Sequence, residues 1–163
     1  LKGEIERLVG EYPFDVRNFR TDDKGYLEDQ LYEMSRKHFE VVRYLLADKE
    51  WDFFMFMEIG PDRVHHGFWK FWDPQHRRHE PNSAYAGAIR DYYDYLDLRI
   101  GEMVDLAEVQ GAAAVGQNGG ADLHHQPLGL PEQRSAFGLV LHRPLAPASH
   151  SRLAIATAAR PSP

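Results

Sequence analysis

Residues 51–72 read WDFFMFMEIGPDRVHHGFWKFW, and the fold turns on this stretch. Phe53-Phe54-Met55-Phe56-Met57 is an unbroken apolar run with the length and aromatic content of a strand buried on both faces, as in a parallel sheet covered by helices. The character then switches. Glu58, Gly60-Pro61, Asp62, His65 and His66 follow within nine residues, directly after the strand, where α/β sheets place their ligand-binding loops.

Upstream, Asp22-Asp23 are acids suited to cap a helix and to sit at the positive end of its dipole. Leu27, Leu31, Met34, Val42 and Leu45 keep the three-or-four spacing of one buried stripe, with Glu28, Arg36 and Lys37 between them, so the spacing predicts a helix ending near Ala47. Asp48-Lys49-Glu50 then joins helix to strand. Phe14-Asp15-Val16 reads equally as a short strand or a loop anchor. Downstream, the segment from Asp73 to Pro81 is long for a plain connection, and Asn82-Ser83 are suited to cap a second helix. Its stripe is Tyr85, Ile89, Tyr92, Leu96, Ile100 and Met103, running to about Ala107.

Helix, strand, helix calls for a second parallel strand, and none follows in clear form. Residues 109–163 hold 23 Ala, Gly and Pro among 55 residues and neither Lys, Tyr nor Trp, which marks a change of composition at about Val109. The charge balance changes with it: 15 Lys and Arg stand against 23 Asp and Glu in residues 1–108, and four against two beyond. Only Ala136 to His142 reads as a strand; the rest of 109–163 is expected to be a disordered, low-complexity tail, and a reading-frame change near Val109 would explain it.

The net charge of -6 argues against non-specific nucleic-acid binding and suits a divalent metal or a small substrate. With no cysteine, disulfides and thiolate metal sites are excluded, and a cytoplasmic location is the default expectation. No run reaches the roughly 20 apolar residues of a membrane-spanning helix, so no membrane association is expected. The chain opens on Leu1 without a signal-peptide pattern, which is read as an upstream segment lying outside it.

Asp62 and His66 are four apart, so on a helix they share a face and can converge on one ion. Carboxylate oxygen and imidazole nitrogen both ligate zinc or manganese. A surface ion pair or a helix cap accounts for the same spacing. His65 and Glu58 could be further ligands or groups that orient one, although a packed histidine and a structural hydrogen-bond acceptor explain them equally. Phe68, Trp69, Phe71 and Trp72 could stack on a planar ligand, though such a cluster is more often core. Arg77 and Arg78 with His76 and His79 could steer a phosphate, while a solvated basic loop is the commoner explanation. His124-His125 lies in the tail and carries no weight.

WDFFMFMEIGPDRVHHGFWKFWDP followed by AIRDYYDYLDLRIGEMVDL resembles the type I phosphodiesterase/nucleotide pyrophosphatase group of the alkaline phosphatase superfamily, over about residues 1–108. The resemblance implies an α/β fold, part of a three-layer parallel-sheet sandwich of alkaline phosphatase-like type with an irregular C-terminal tail. It implies that Asp62 and His66 bind one of two metal ions, and it favours His66 over His65 as the ligand. Asp97 to Gly101 matches a family segment taken as structural. The implied reaction is metal-assisted hydrolysis of a phosphate ester, in which two ions hold the phosphate of a small-molecule substrate and a Thr or Ser attacks it. The family's nucleophile and first aspartate lie upstream of the matched stretch, and its Ser-Asp-His-Gly strand end is missing where the tail begins. Residues 1–108 therefore read as a partial domain holding half of one metal site, without catalytic residues of its own and inactive alone. The competing expectation is a non-catalytic binding module in which the Asp/His pair is incidental. The sequence sets neither substrate nor oligomeric state.

Overall fold

The structure, a computed structural model, describes residues 1–116 and 137–142. Helix α1 spans Lys2–Val9 and α2 spans Lys24–Asp48. Strand β1 is Phe53–Glu58, α3 is Gly60–Trp72 and α4 is Ala88–Val109; strands β2, Ala113–Gly116, and β3, Phe137–His142, complete the described elements. The architecture is mixed α/β. Among the described residues no helix is long and apolar enough to cross a membrane.

Helix α2 starts where the acids placed it. Asp23 is the N-cap, its side chain accepting the Tyr26 N–H at 3.0 Å. Leu27, Leu31, Met34 and Val42 line its buried face as the spacing required, whereas at the last turn Leu46 is the buried residue and the expected Leu45 is only half-buried against the core. Two polar residues, Ser35 and His38, lie on that same face and are equally buried. Helices α2, α3 and α4 pack on one another around Leu27, Phe68, Ile89, Tyr92 and Leu96. Gly67 makes the α2–α3 approach close: a Cβ there would lie 2.8 Å from Leu27 Cδ2.

Three sequence expectations give way here. The strand β1 is not buried on both faces: Phe54, Phe56 and Glu58 are buried while Phe53, Met55 and Met57 are half-buried, the alternation of a strand covered by helices on one side. Its pairing is also antiparallel. The sheet order is β1-β3-β2, with Phe54 opposite Leu141, Phe56 opposite Leu139 and Glu58 opposite Phe137. Opposed residues share a face, so Leu139 and Leu141 join Phe54 and Phe56 in the core. Third, the second amphipathic helix begins at Ala88 and not at Asn82-Ser83. Asn82 takes a left-handed φ of 62° and the Ser83 hydroxyl oxygen accepts the Tyr85 N–H, which places both residues in the turns that precede the helix.

The boundary expected at residue 108 falls at the end of α4, yet the segment beyond it supplies β2 and β3 to the sheet of β1. The reading of a disordered tail otherwise concerns residues 117–136 and 143–163, which lie outside the described residues, as does His124-His125. Between α1 and α2 the chain is irregular. Phe14-Asp15-Val16 is a loop there, with Phe14 exposed and Val16 anchored in the core.

Candidate functional site

The residues expected to form a polar loop after the strand are helical from Gly60 onward. Pro61 favours this, since its fixed φ suits the first helical turn and its missing N–H costs nothing there. No side chain of Ile59 caps the helix. Glu58 does that work from the strand end: its Oε1 accepts the Gly60 N–H at 2.9 Å, setting a carboxylate against the positive end of α3. The junction has room for glycine alone, because a Cβ on Gly60 would stand 1.7 Å from the Tyr92 hydroxyl oxygen.

With α3 begun at Gly60, Asp62 and His66 come one turn apart on its outer face. Asp62 Oδ1 and His66 Nε2 are 3.5 Å apart; the His66 side chain is 66% exposed and that of Asp62 19%. The other Asp62 oxygen, Oδ2, accepts from Arg63 Nη1 at 2.6 Å. Arg63 reaches back across the fold to Asp15, donating from Nε at 2.7 Å and from Nη2 at 2.6 Å. This two-pronged bond, more than the partial burial that opposes it, holds the Asp15 carboxyl below the usual range. Phe19 packs against both neighbours, its ring centroid 5.2 Å from Arg63 Cζ and 6.4 Å, edge to face, from His66.

His65 turns the other way. Its ring stacks on Tyr93 at 5.7 Å and tilts against Trp69 at 5.3 Å, and its buried Nε2 has no hydrogen-bond partner among the described residues. Burial lowers its pKa, and the nearby Asp62 only partly offsets this.

Glu58 is the hub of a second, buried constellation. It has no exposed surface and accepts from Ser35 Oγ at 3.1 Å as well as from Gly60. Its Oε2 lies 2.8 Å from His38 Nδ1, and the opposite nitrogen, His38 Nε2, lies 2.6 Å from the Pro13 carbonyl oxygen. The two ring nitrogens thus face the Glu58 carboxyl and the Pro13 carbonyl, and a doubly protonated imidazolium donates to both. Burial alone would lower the His38 pKa, but the bond to Glu58, its charge and the Pro13 carbonyl together raise it. The Ser35 hydroxyl also meets the Tyr92 hydroxyl in a short contact. Burial first, then the Glu58 charge, pushes the Tyr92 hydroxyl well above its ordinary range and that of Tyr12, stacked on His38 at 4.9 Å, up to about 12.

The structure therefore brings Asp62 and His66 together and places the other two candidates elsewhere: the polar contacts of Glu58 are with Ser35, His38 and Gly60, and His65 is packed among aromatic rings. Among the described residues no group of three or more His, Cys, Asp and Glu side chains is arranged to hold a metal ion. Phe68 and Phe71 are core, with Trp69 and Trp72 half-buried against it, so they offer no open stacking platform. Arg77 and Arg78 are solvent-exposed, and the His79 ring is occupied by the Lys70 carbonyl at 3.0 Å. In α4, Asp97 faces solvent and Ile100 the core, consistent with a structural segment. Ser35 and His38 were findable as polar residues on the apolar stripe of α2. The Asp15–Arg63 pair, 48 residues apart, left no local signal.

Comparison of the chain with protein-family models, with curated proteins and with solved structures returns no match.

Proposed function

We propose that this chain contributes half of a divalent-cation site, zinc or manganese held by Asp62 and His66, to a metal-dependent phosphohydrolase of the phosphodiesterase/nucleotide pyrophosphatase type acting on a small phosphate ester. The 3.5 Å between Asp62 Oδ1 and His66 Nε2 carries the reading. Two ligands about 2.0–2.2 Å from a tetrahedral zinc lie roughly 3.3–3.6 Å apart, and the two donor atoms already stand at that separation. His66 is open to solvent, as a ligand that shares its ion with substrate must be. With only two ligands among the described residues, the remaining coordination comes from water, from substrate phosphate or from residues outside them. The bound ion would polarise a phosphoryl oxygen. The finer fold reading, a parallel-sheet sandwich of alkaline phosphatase-like type, goes with this proposal: β1 is an edge of the described sheet, and its open side would receive the parallel neighbour.

One observation favours a different class. The Asp62 carboxylate is already paired with Arg63, which suits a structural ion pair in a non-catalytic binding module. Metal-dependent stability separates the two. Zinc at one hundred times its dissociation constant stabilises a native-only binder by about 2.7 kcal/mol, a rise of roughly 5–10 °C in Tm for a chain of this size. That rise, lost in Asp62→Ala, is expected; a Tm indifferent to zinc and manganese selects the binding module. The chain alone should not turn over bis(p-nitrophenyl) phosphate, and turnover that Asp62→Ala abolishes would overturn the half-site reading in favour of a complete one.

A further inference from the structure

We propose that Arg63, locked by Asp15, is the positioning residue of the Asp62–His66 pair, an inference that rests on reading the pair as a cation site. A free aspartate can turn either oxygen outward. Here Arg63 Nη1 takes Oδ2 at 2.6 Å, which leaves Oδ1 as the oxygen facing His66 Nε2. The guanidinium is itself fixed, because Asp15 grips Nε and Nη2 in the forked geometry that a planar guanidinium matches and an ammonium does not. Asp15 has a second task. A lone guanidinium beside a cation site would repel the cation, whereas the Arg63–Asp15 ion pair presents almost no net charge to it.

The lock is built into the fold at its far end. Asp15 Oδ1 also accepts the Val16 N–H at 2.8 Å, Val16 is seated in the core, and two residues earlier the Pro13 carbonyl is held by His38. The loop that carries Asp15 is thus pinned on both sides to α2 and the core. Phe19, from the same loop, sits against the Arg63 guanidinium and makes an edge-to-face contact with the His66 ring, so one side chain touches both the positioning residue and the second ligand. Outer partners of this kind tune metal affinity by orienting the ligands they touch.

The test is zinc affinity of the full chain, by competition against a chromophoric chelator, for wild type, Arg63→Gln, Arg63→Lys, Asp15→Asn and Asp62→Ala. Arg63→Gln and Arg63→Lys should each weaken binding by roughly 10- to 100-fold, the second because charge without the fork does not position Asp62. Asp15→Asn should weaken it too. In the zinc-free protein the Arg63 Nε–H NMR signal should exchange slowly with water and should lose that protection in Asp15→Asn while the backbone spectrum stays unchanged, a signature that general loosening would not give. If wild type binds zinc no better than Asp62→Ala, the cation reading falls and the role of Arg63 falls with it. If wild type binds zinc and Arg63→Gln binds equally or more tightly, Arg63 is a competing counter-ion and the positioning role alone is overturned.

Discussion

Replacing Glu58 discriminates a buried polar hub from an incidental contact. In Glu58→Ala the Gly60 N–H, the Ser35 hydroxyl and the His38 imidazolium lose their acceptor together, in a place that water does not reach. Removing one partner of a buried ion pair costs about 3–5 kcal/mol, largely because the other charge is stranded. For a chain of this size that is a fall of roughly 6–20 °C in Tm. Glu58→Gln should be far milder, at about 1–2 kcal/mol, because the amide oxygen can still serve Gly60 and Ser35 while its NH2 donates to a neutral His38. The pH dependence separates the two states of the histidine. In the wild type the folded-state pKa of His38 is raised, so its stabilisation is complete below its unfolded value of about 6.5 and is lost as pH rises through the folded value. In Glu58→Gln the charge that raises it is gone and burial prevails, so stability should instead fall as pH drops below about 6.5. Urea unfolding of wild type and both variants between pH 5.5 and 8.5, a range of about three units around that value, gives the slopes. A Glu58→Ala protein within about 2 °C of the wild type, or parallel pH slopes for wild type and Glu58→Gln, would refute the reasoning.

Gly60→Ala tests the same junction sterically: its Cβ would meet Tyr92 and Glu58 Oε1 inside normal contact distance, both fully buried, so the loss should exceed about 3 kcal/mol or abolish soluble expression. Asp23→Ala removes the N-cap of α2 and should cost about 1 kcal/mol, read as a lower urea midpoint at unchanged m-value.

How far the sequence discloses this molecule depends on the range of each interaction. Helix α2 was legible at both ends because its cap and its stripe are local signals. The strand β1 was legible as a strand from Phe53 to Met57, but apolar content does not say whether one face or two are covered, nor which way the neighbour runs; β3, its partner, lies some 80 residues away and fixes both. The start of α4 was misplaced because Asn82 and Ser83 serve turns as readily as caps. At the candidate site the i, i+4 spacing of Asp62 and His66 was visible, whereas the separation of their facing atoms depends on α3 beginning at Gly60, where Glu58 of the adjoining strand end accepts the Gly60 N–H and Tyr92 of α4 leaves no room for a side chain. The Arg63–Asp15 pairing was invisible because only the fold brings the two residues together.

With nine histidines in the chain, zinc can attach in more than one place, so the decisive measurement must resolve the residue. A long-range 1H–15N correlation of the histidine rings, followed as zinc is added, does this. Zinc should shift Nε2 of His66, and Asp62→Ala should erase that response while leaving the rings of His38 and His65 as they were. A response confined to other histidines, or one at His66 that survives Asp62→Ala, contradicts a cation held by this pair.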